Sequence, residues 1–155
     1  MQIVADLDIN IDEIINNHGL GDDNRVQSFI DSECIRLMDD YTPDLNSWLK
    51  RSIRINTVIG SGELRQVAPY ARYQYYGMLM VDPITAKGCF YDPRTGRKWS
   101  RPGVSKVMDP QGRTLNYNTM RSSKAGSHWF ERMKADYKDA IGRGAAAIAG
   151  GVYSG

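Results

Sequence analysis

"SHWFERMKADYKDAIGRGAAAIAGG", residues 127 to 151, decides how the rest of the chain is read. Phe130, Met133, Tyr137, Ile141 and Ile148 recur at helical spacing with charged side chains between them, the pattern of a long helix with one apolar stripe. Ser127 is placed to cap its start. Glu131 lies in the first turn, where a carboxylate meets the positive end of the helix dipole. Gly142 and Gly144 are expected to weaken the middle, since glycine in a helix costs about 1 kcal/mol relative to alanine. Beyond Ala149 the tail is expected to fray or to be ordered only by a neighbour.

A second stripe lies upstream. Val26, Phe29, Ile30, Cys34, Leu37, Met38 and Tyr41 recur three and four apart from Arg25 onward, predicting an amphipathic helix that stops before Thr42-Pro43. Asp22, Asp23 and Asn24 can cap it. Before it, "QIVADLDIN" alternates Ile3, Ala5, Leu7 and Ile9 with polar residues, which predicts a strand with one buried face. After a short piece at 45–49, "RSIRINTVIGSGELRQV" alternates Ile53, Ile55, Thr57 and Ile59. Gly60-Ser61-Gly62 then offers a turn and Glu63 to Val67 a return strand, so an antiparallel hairpin is expected there. In "PYARYQYYG", residues 69–77, Pro69 suits a helix start and Gly77 its end, predicting a helix of about two turns.

Residues 78–124 read differently. Pro83, Pro93, Pro102 and Pro110 alternate with glycines, and turn signals such as "DPRTG" and "DPQG" divide short strands at "GCFY" and "RTLNY". A compact domain seldom carries so long an irregular connection without a use for it. The expectation is one α+β domain over 1–155, with 78–124 as a basic, hairpin-containing arm inserted before the C-terminal helix. At 155 residues and 41% hydrophobic composition, the chain can bury one sizeable core.

The net charge of +2 conceals an asymmetry. Residues 1–50 hold eleven Asp/Glu against three Lys/Arg, a balance of −8, whereas residues 87–124 hold nine Lys/Arg against Asp92 and Asp109, a balance of +7. Opposed surfaces of this kind serve partners rather than fold. Two cysteines, Cys34 and Cys89, and two histidines, His18 and His128, are too few for a zinc site or a disulfide framework, so reduced thiols are expected. No run approaches the roughly 20 apolar residues of a membrane span, and the start lacks a signal-peptide pattern. No cofactor, metal or membrane contact is expected.

The chemical candidates are weak. "GSGE" at 60–63 has the glycines of a phosphate cradle but no following Lys-Ser/Thr, and a turn accounts for it. His128 has no nucleophile or orienting carboxylate supplied by the sequence, and ordinary helix-terminal placement accounts for it. Asp6, Asp8, Asp12 and Glu13 do not match calcium-loop spacing and read as a solvated acidic face. Cys34 falls on the apolar stripe and reads as core. The basic arm is the feature with content: Arg94, Arg97, Lys98 and Arg101 surround Trp99, and Lys106, Arg113, Arg121 and Lys124 continue the charge. Such a mixture suits phosphate contact, docking on the acidic patch of a neighbouring copy, or simply a solubilised loop.

"PYARYQYYG" followed by "HWFERMKADYKDAI" resembles the minor capsid proteins of tailed bacteriophages that infect Gram-positive bacteria, a family grouped with neck and tail-completion proteins at the head-tail junction. The resemblance is close over residues 64–82 and 127–149 and looser through "NSWLKRSI", where wider relatives carry Thr-Gly in place of Asn46-Ser47. It implies a structural virion protein without catalytic residues, assembled in the host cytoplasm, with helices packed on a bent antiparallel sheet. It also implies a homo-oligomeric ring, hexameric in preference to dodecameric, beside neighbouring neck, portal-side and tail proteins and close to packaged double-stranded DNA. An alternative is a DNA-contacting binding module that uses the basic loop. Helical spacing assigns Tyr73 and Tyr76 to packing and Tyr75 and Arg72 to a neighbour. Arg72, Tyr75, Tyr76 and Trp99 are the candidate subunit contacts; Arg94, Arg97, Lys98, Arg101 and Lys106 are candidates for DNA or an acidic patch.

Overall fold

The two stripes pack on one another. The computed structural model of the protein describes residues 1–4, 24–43 and 47–150. Its elements run β1 (Gln2–Val4), α1 (Arg25–Met38), α2 (Trp48–Asn56), β2 (Glu63–Arg65), α3 (Ala71–Tyr75), β3 (Met80–Val81), β4 (Phe90–Tyr91), β5 (Lys98–Trp99), β6 (Val107–Met108) and α4 (Trp129–Ile148). This is a small α+β fold with short antiparallel sheets and a C-terminal helix. No helix among the described residues is long and apolar enough to cross a membrane.

Val26, Ile30, Cys34 and Met38 of α1 are buried against Trp129, Met133, Ile141 and Ala145 of α4, and Leu49, Ile53, Leu64, Ala71 and Tyr75 complete the core. Gly142 and Gly144 do not interrupt α4, which runs unbroken for 20 residues. A Cβ on Gly144 would lie 2.4 Å from the Phe29 ring. That glycine gives up helix propensity and in return lets α1 approach, so packing overrides the local preference. Ser127 does not cap α4. The helix starts after His128, which holds a left-handed φ of 46° and makes no side-chain capping bond.

The hairpin expected at 53–67 is not formed. Residues 48–56 are helical, because Leu49, Ser52 and Ile53 fall on one face that is buried, and Ile55 and Ile59 are left exposed. Ser47 enters this helix with φ 59°, a conformation that glycine adopts without strain. The return strand does exist as β2, but its partner is the N-terminal β1, with Ile3 opposite Leu64. The amine of Met1 donates to the Gln66 carbonyl at 2.7 Å and so extends that ladder. The remainder of the predicted first strand, residues 5–9, the predicted caps Asp22 and Asp23, and the tail from 151 lie outside the described residues.

Between α3 and α4, β3 pairs with β6 and encloses a second hairpin made by β4 and β5. "GCFY" supplies β4 as expected, whereas "RTLNY" contributes only an isolated bridge from Thr114 to Met78.

Candidate subunit interface and cationic hairpin

The tyrosines of α3 divide in the opposite sense to the sequence expectation. Tyr75 is buried, 4% exposed, while Tyr73 and Tyr76 are 38% and 48% exposed. The helix is only five residues long, and its inward face is set by Ala71 and Tyr75, four apart, so Tyr73, Tyr76 and Arg72 turn outward. Tyr75 therefore cannot be the neighbour contact. Its hydroxyl donates to Glu131 of α4, and its ring meets that of Trp129 edge-on at 4.7 Å. Burial, then the Glu131 hydrogen bond, pushes the Tyr75 phenol well up. His128, at the foot of α4, lies against the rings of Tyr75 and Tyr76 and donates its backbone N–H to the Tyr75 carbonyl at 2.8 Å.

Beside α3, Tyr70, Tyr73, Met78, Met80 and Leu115 line an open groove of about 640 Å³. Its shape is fixed by the Tyr117 hydroxyl, which donates to the Gln74 carbonyl, and by the Lys106 ammonium, which donates to the Gly88 carbonyl. A second apolar exposure surrounds the end of α2, where Ile55, Val58 and Val67 are 66%, 72% and 59% exposed. Both surfaces leave large apolar side chains open to solvent.

Three Asp-Pro turns organise the intervening segment. The Asp82 carboxylate accepts the N–H groups of Ile84 and Thr85, Asp92 accepts the Arg94 N–H and the Thr95 hydroxyl, and Asp109 accepts the N–H groups of Gln111 and Arg113. Each turn carries a left-handed residue: Gly96 and Gly112 at φ 68°, and Ala86, without a glycine's freedom, at φ 54°. Arg101 binds Asp82 through two bonds of 2.6 and 2.7 Å, which with the turn amides holds that carboxyl well below its usual range. Arg113 does the same for Asp109 and also donates to the Ala86 carbonyl.

The candidate basic residues thus fall into two groups. Arg101 and Lys106 are internal struts. Arg94, Arg97 and Lys98 stand at the exposed end of the β4–β5 hairpin, where their side chains have no partner among the described residues. Trp99, on β5, stacks on Phe90 with ring centres 5.8 Å apart and is still 42% exposed. Lys124, further on, donates to the hydroxyls of Tyr41 and Tyr137, which raises its pKa. Tyr41 in turn donates to Asp136.

The described acids of α1 and of the residue that follows it are held within the chain. Glu33 binds Arg36, and Asp39 binds Lys50 and Arg54. Asp31, fully buried, accepts the N–H groups of Gly60 at 2.7 Å and Gly62 at 3.1 Å, with Gln27 on its other oxygen. The glycine amides of "GSGE" do face an anion, and that anion is the chain's own carboxylate. The sequence signal for this was the glycine pair, which the hairpin reading absorbed. Cys34 is core, and burial pushes its thiol up to about 12; Cys89 is exposed. No group of His, Cys, Asp and Glu among the described residues is arranged to hold a metal ion. Asp6, Asp8, Asp12, Glu13 and His18 lie outside the described residues.

Comparison with protein-family models, with curated proteins and with solved structures returned no match to this chain.

Proposed function

We propose that this chain is a structural protein of the phage head-tail junction that assembles side by side with copies of itself as a ring in the neck and performs no chemistry. The observation that carries the reading is the union of the two stretches on which the family resemblance rests. The "PYARYQYYG" helix and the start of "HWFERMKADYKDAI" form one unit, joined through the Tyr75–Glu131 hydrogen bond and the Tyr75–Trp129 contact. The finer layout, a bent sheet with an arm standing off it, belongs to this reading.

That unit turns Arg72, Tyr73 and Tyr76 outward beside the apolar groove, which is the kind of surface a head-to-tail ring needs on one side of each subunit. The charge asymmetry adds order and steering rather than strength, because exposed ion pairs contribute only about 0 to 1 kcal/mol each. Covering the remaining exposed area of each tyrosine stabilises the contact by about 2 kcal/mol, taking rings of roughly 200 Å² at about 25 cal/mol per Å².

The test is the double variant Tyr73→Ser, Tyr76→Ser, followed by sedimentation and by complementation of particle assembly. A folded variant that no longer enters rings is the expected result. A variant that assembles as the parent does would remove these side chains from the interface, and a parent that stays monomeric in the particle would refute the reading as a whole.

A further inference from the structure

We infer that the tip of the β4–β5 hairpin is a binding site for the phosphate backbone of duplex nucleic acid, formed by Arg94, Arg97 and Lys98. This goes beyond ring assembly, because it needs the hairpin and not the ring.

The first observation is selective use of charge. Arg101 and Arg113 are bound to Asp82 and Asp109, and Lys106 is held by the Gly88 carbonyl, so the segment's own carboxylates and carbonyls satisfy part of its positive charge. Asp92 sits directly beneath the tip, but its oxygens are turned to the Arg94 N–H and the Thr95 hydroxyl and pair with none of the three cations, and its one charge offsets only part of theirs. Three cations therefore remain on one small turn over a single carboxylate, repelling one another and forming no ion pair among the described residues.

The second observation is rigidity. The Asp92 N–H donates to the Arg97 carbonyl at 3.0 Å and the Gly96 N–H to the Asp92 carbonyl at 2.8 Å. Pro93 fixes a further dihedral, and the Phe90–Trp99 stack closes the ladder below. The backbone under the cations is thus set before any ligand arrives, and binding orders side chains alone. In the antiparallel register Tyr91 lies opposite Lys98 and Phe90 opposite Trp99, so the lysine is on the face away from the aromatic stack.

Phosphate is favoured over the described carboxylates of another copy. Asp40 and Asp139 aside, every described Asp and Glu already has a partner inside its own chain, as the contacts of Asp31, Glu33, Asp39, Glu63, Asp82, Asp92, Asp109, Glu131 and Asp136 illustrate. Duplex DNA, by contrast, offers one negative charge per about 1.7 Å of its axis. No groove-reading element accompanies the hairpin, so the contact is independent of base sequence.

The experiment is fluorescence anisotropy of a labelled duplex of arbitrary sequence with the full chain across a salt series. The parent is compared with the variant Arg94→Gln, Arg97→Gln, Lys98→Gln and with a control of equal charge change, Arg51→Gln, Lys138→Gln, Arg143→Gln. Circular dichroism melts check that all three fold. The hairpin variant should lose at least tenfold in affinity at low salt, and its slope of log K against log salt should be shallower by about 2.7, from roughly 0.9 per phosphate contact. The control should retain the parent slope. The proposal is overturned if the parent shows no binding at low salt, if the hairpin variant keeps the parent slope, or if the control loses as much. Sedimentation of the same variants separates the two readings: a hairpin variant that binds DNA normally but fails to self-associate assigns the tip to a neighbouring copy.

Discussion

Removing the Asp31 carboxylate probes the least expected structural feature. In Asp31→Ala the N–H groups of Gly60 and Gly62 lose an acceptor held at 2.7 and 3.1 Å, and Gln27 loses its partner at 2.7 Å. Hydrogen bonds to charged groups contribute about 1.5 to 3 kcal/mol each, so the two backbone bonds alone set an upper range of about 3 to 6 kcal/mol. Gly60 and Gly62 are half-buried, and water can reach the freed amides in part. The expected loss is therefore about 2 to 4 kcal/mol. Asp31→Asn keeps one carbonyl oxygen as a neutral acceptor and should lose about 1 to 2 kcal/mol. Urea unfolding followed by tryptophan fluorescence gives both values, and hydrogen exchange should show the Gly60 and Gly62 amides losing protection before those of α4. A change below about 0.5 kcal/mol for Asp31→Ala would refute the reasoning, because the turn would then hold itself and β2 without the carboxylate.

Ala86→Gly should stabilise the protein by about 0.5 to 1 kcal/mol, since relief of a left-handed alanine outweighs the entropy that glycine adds to the unfolded chain; a thermal melt checks the sign. Acid should loosen the Asp-Pro turns. The folded-state pKa values of Asp82, Asp92 and Asp109 lie below their ordinary range, chiefly through Arg101, Thr95 and Arg113 respectively. The stability they contribute is fully present above the ordinary carboxylate pKa of about 3.9 and is lost as pH falls below it toward the depressed values. The protection factors of the Thr85, Arg94 and Arg113 amides, taken relative to the slower intrinsic exchange at low pH, should therefore fall in acid. With a thiol reagent at neutral pH, Cys89 should react at once and Cys34 only on unfolding, because the buried thiol titrates near 12.

The helices α1 and α4 were legible because each repeats its apolar residues at three and four over three turns or more, a pattern no strand can use. Residues 48–59 were misread because a short stretch rich in isoleucine satisfies two periods at once. Ile53, Ile55 and Ile59 alternate as a strand would, while Leu49, Ser52 and Ile53 lie on one helical face; burial of the second set decides the matter. The partner of β2 is far away in sequence, with Ile3 opposite Leu64, a distance over which local pattern carries no information. For the tyrosines, Ala71 was the missing clue: a small residue four positions before Tyr75 marks the side of α3 that lies closest to the core. Composition located the positive segment, but which cations are struts and which stand free depends on where Asp82 and Asp109 fold back, and only tertiary structure supplies that.

An image reconstruction of the assembled neck tests the central claim most directly. The account predicts a closed ring of this chain in which the outward face of α3, with Tyr73 and Tyr76, is covered by the adjacent subunit. A solitary copy, or a ring that leaves both tyrosines in solvent, would contradict it.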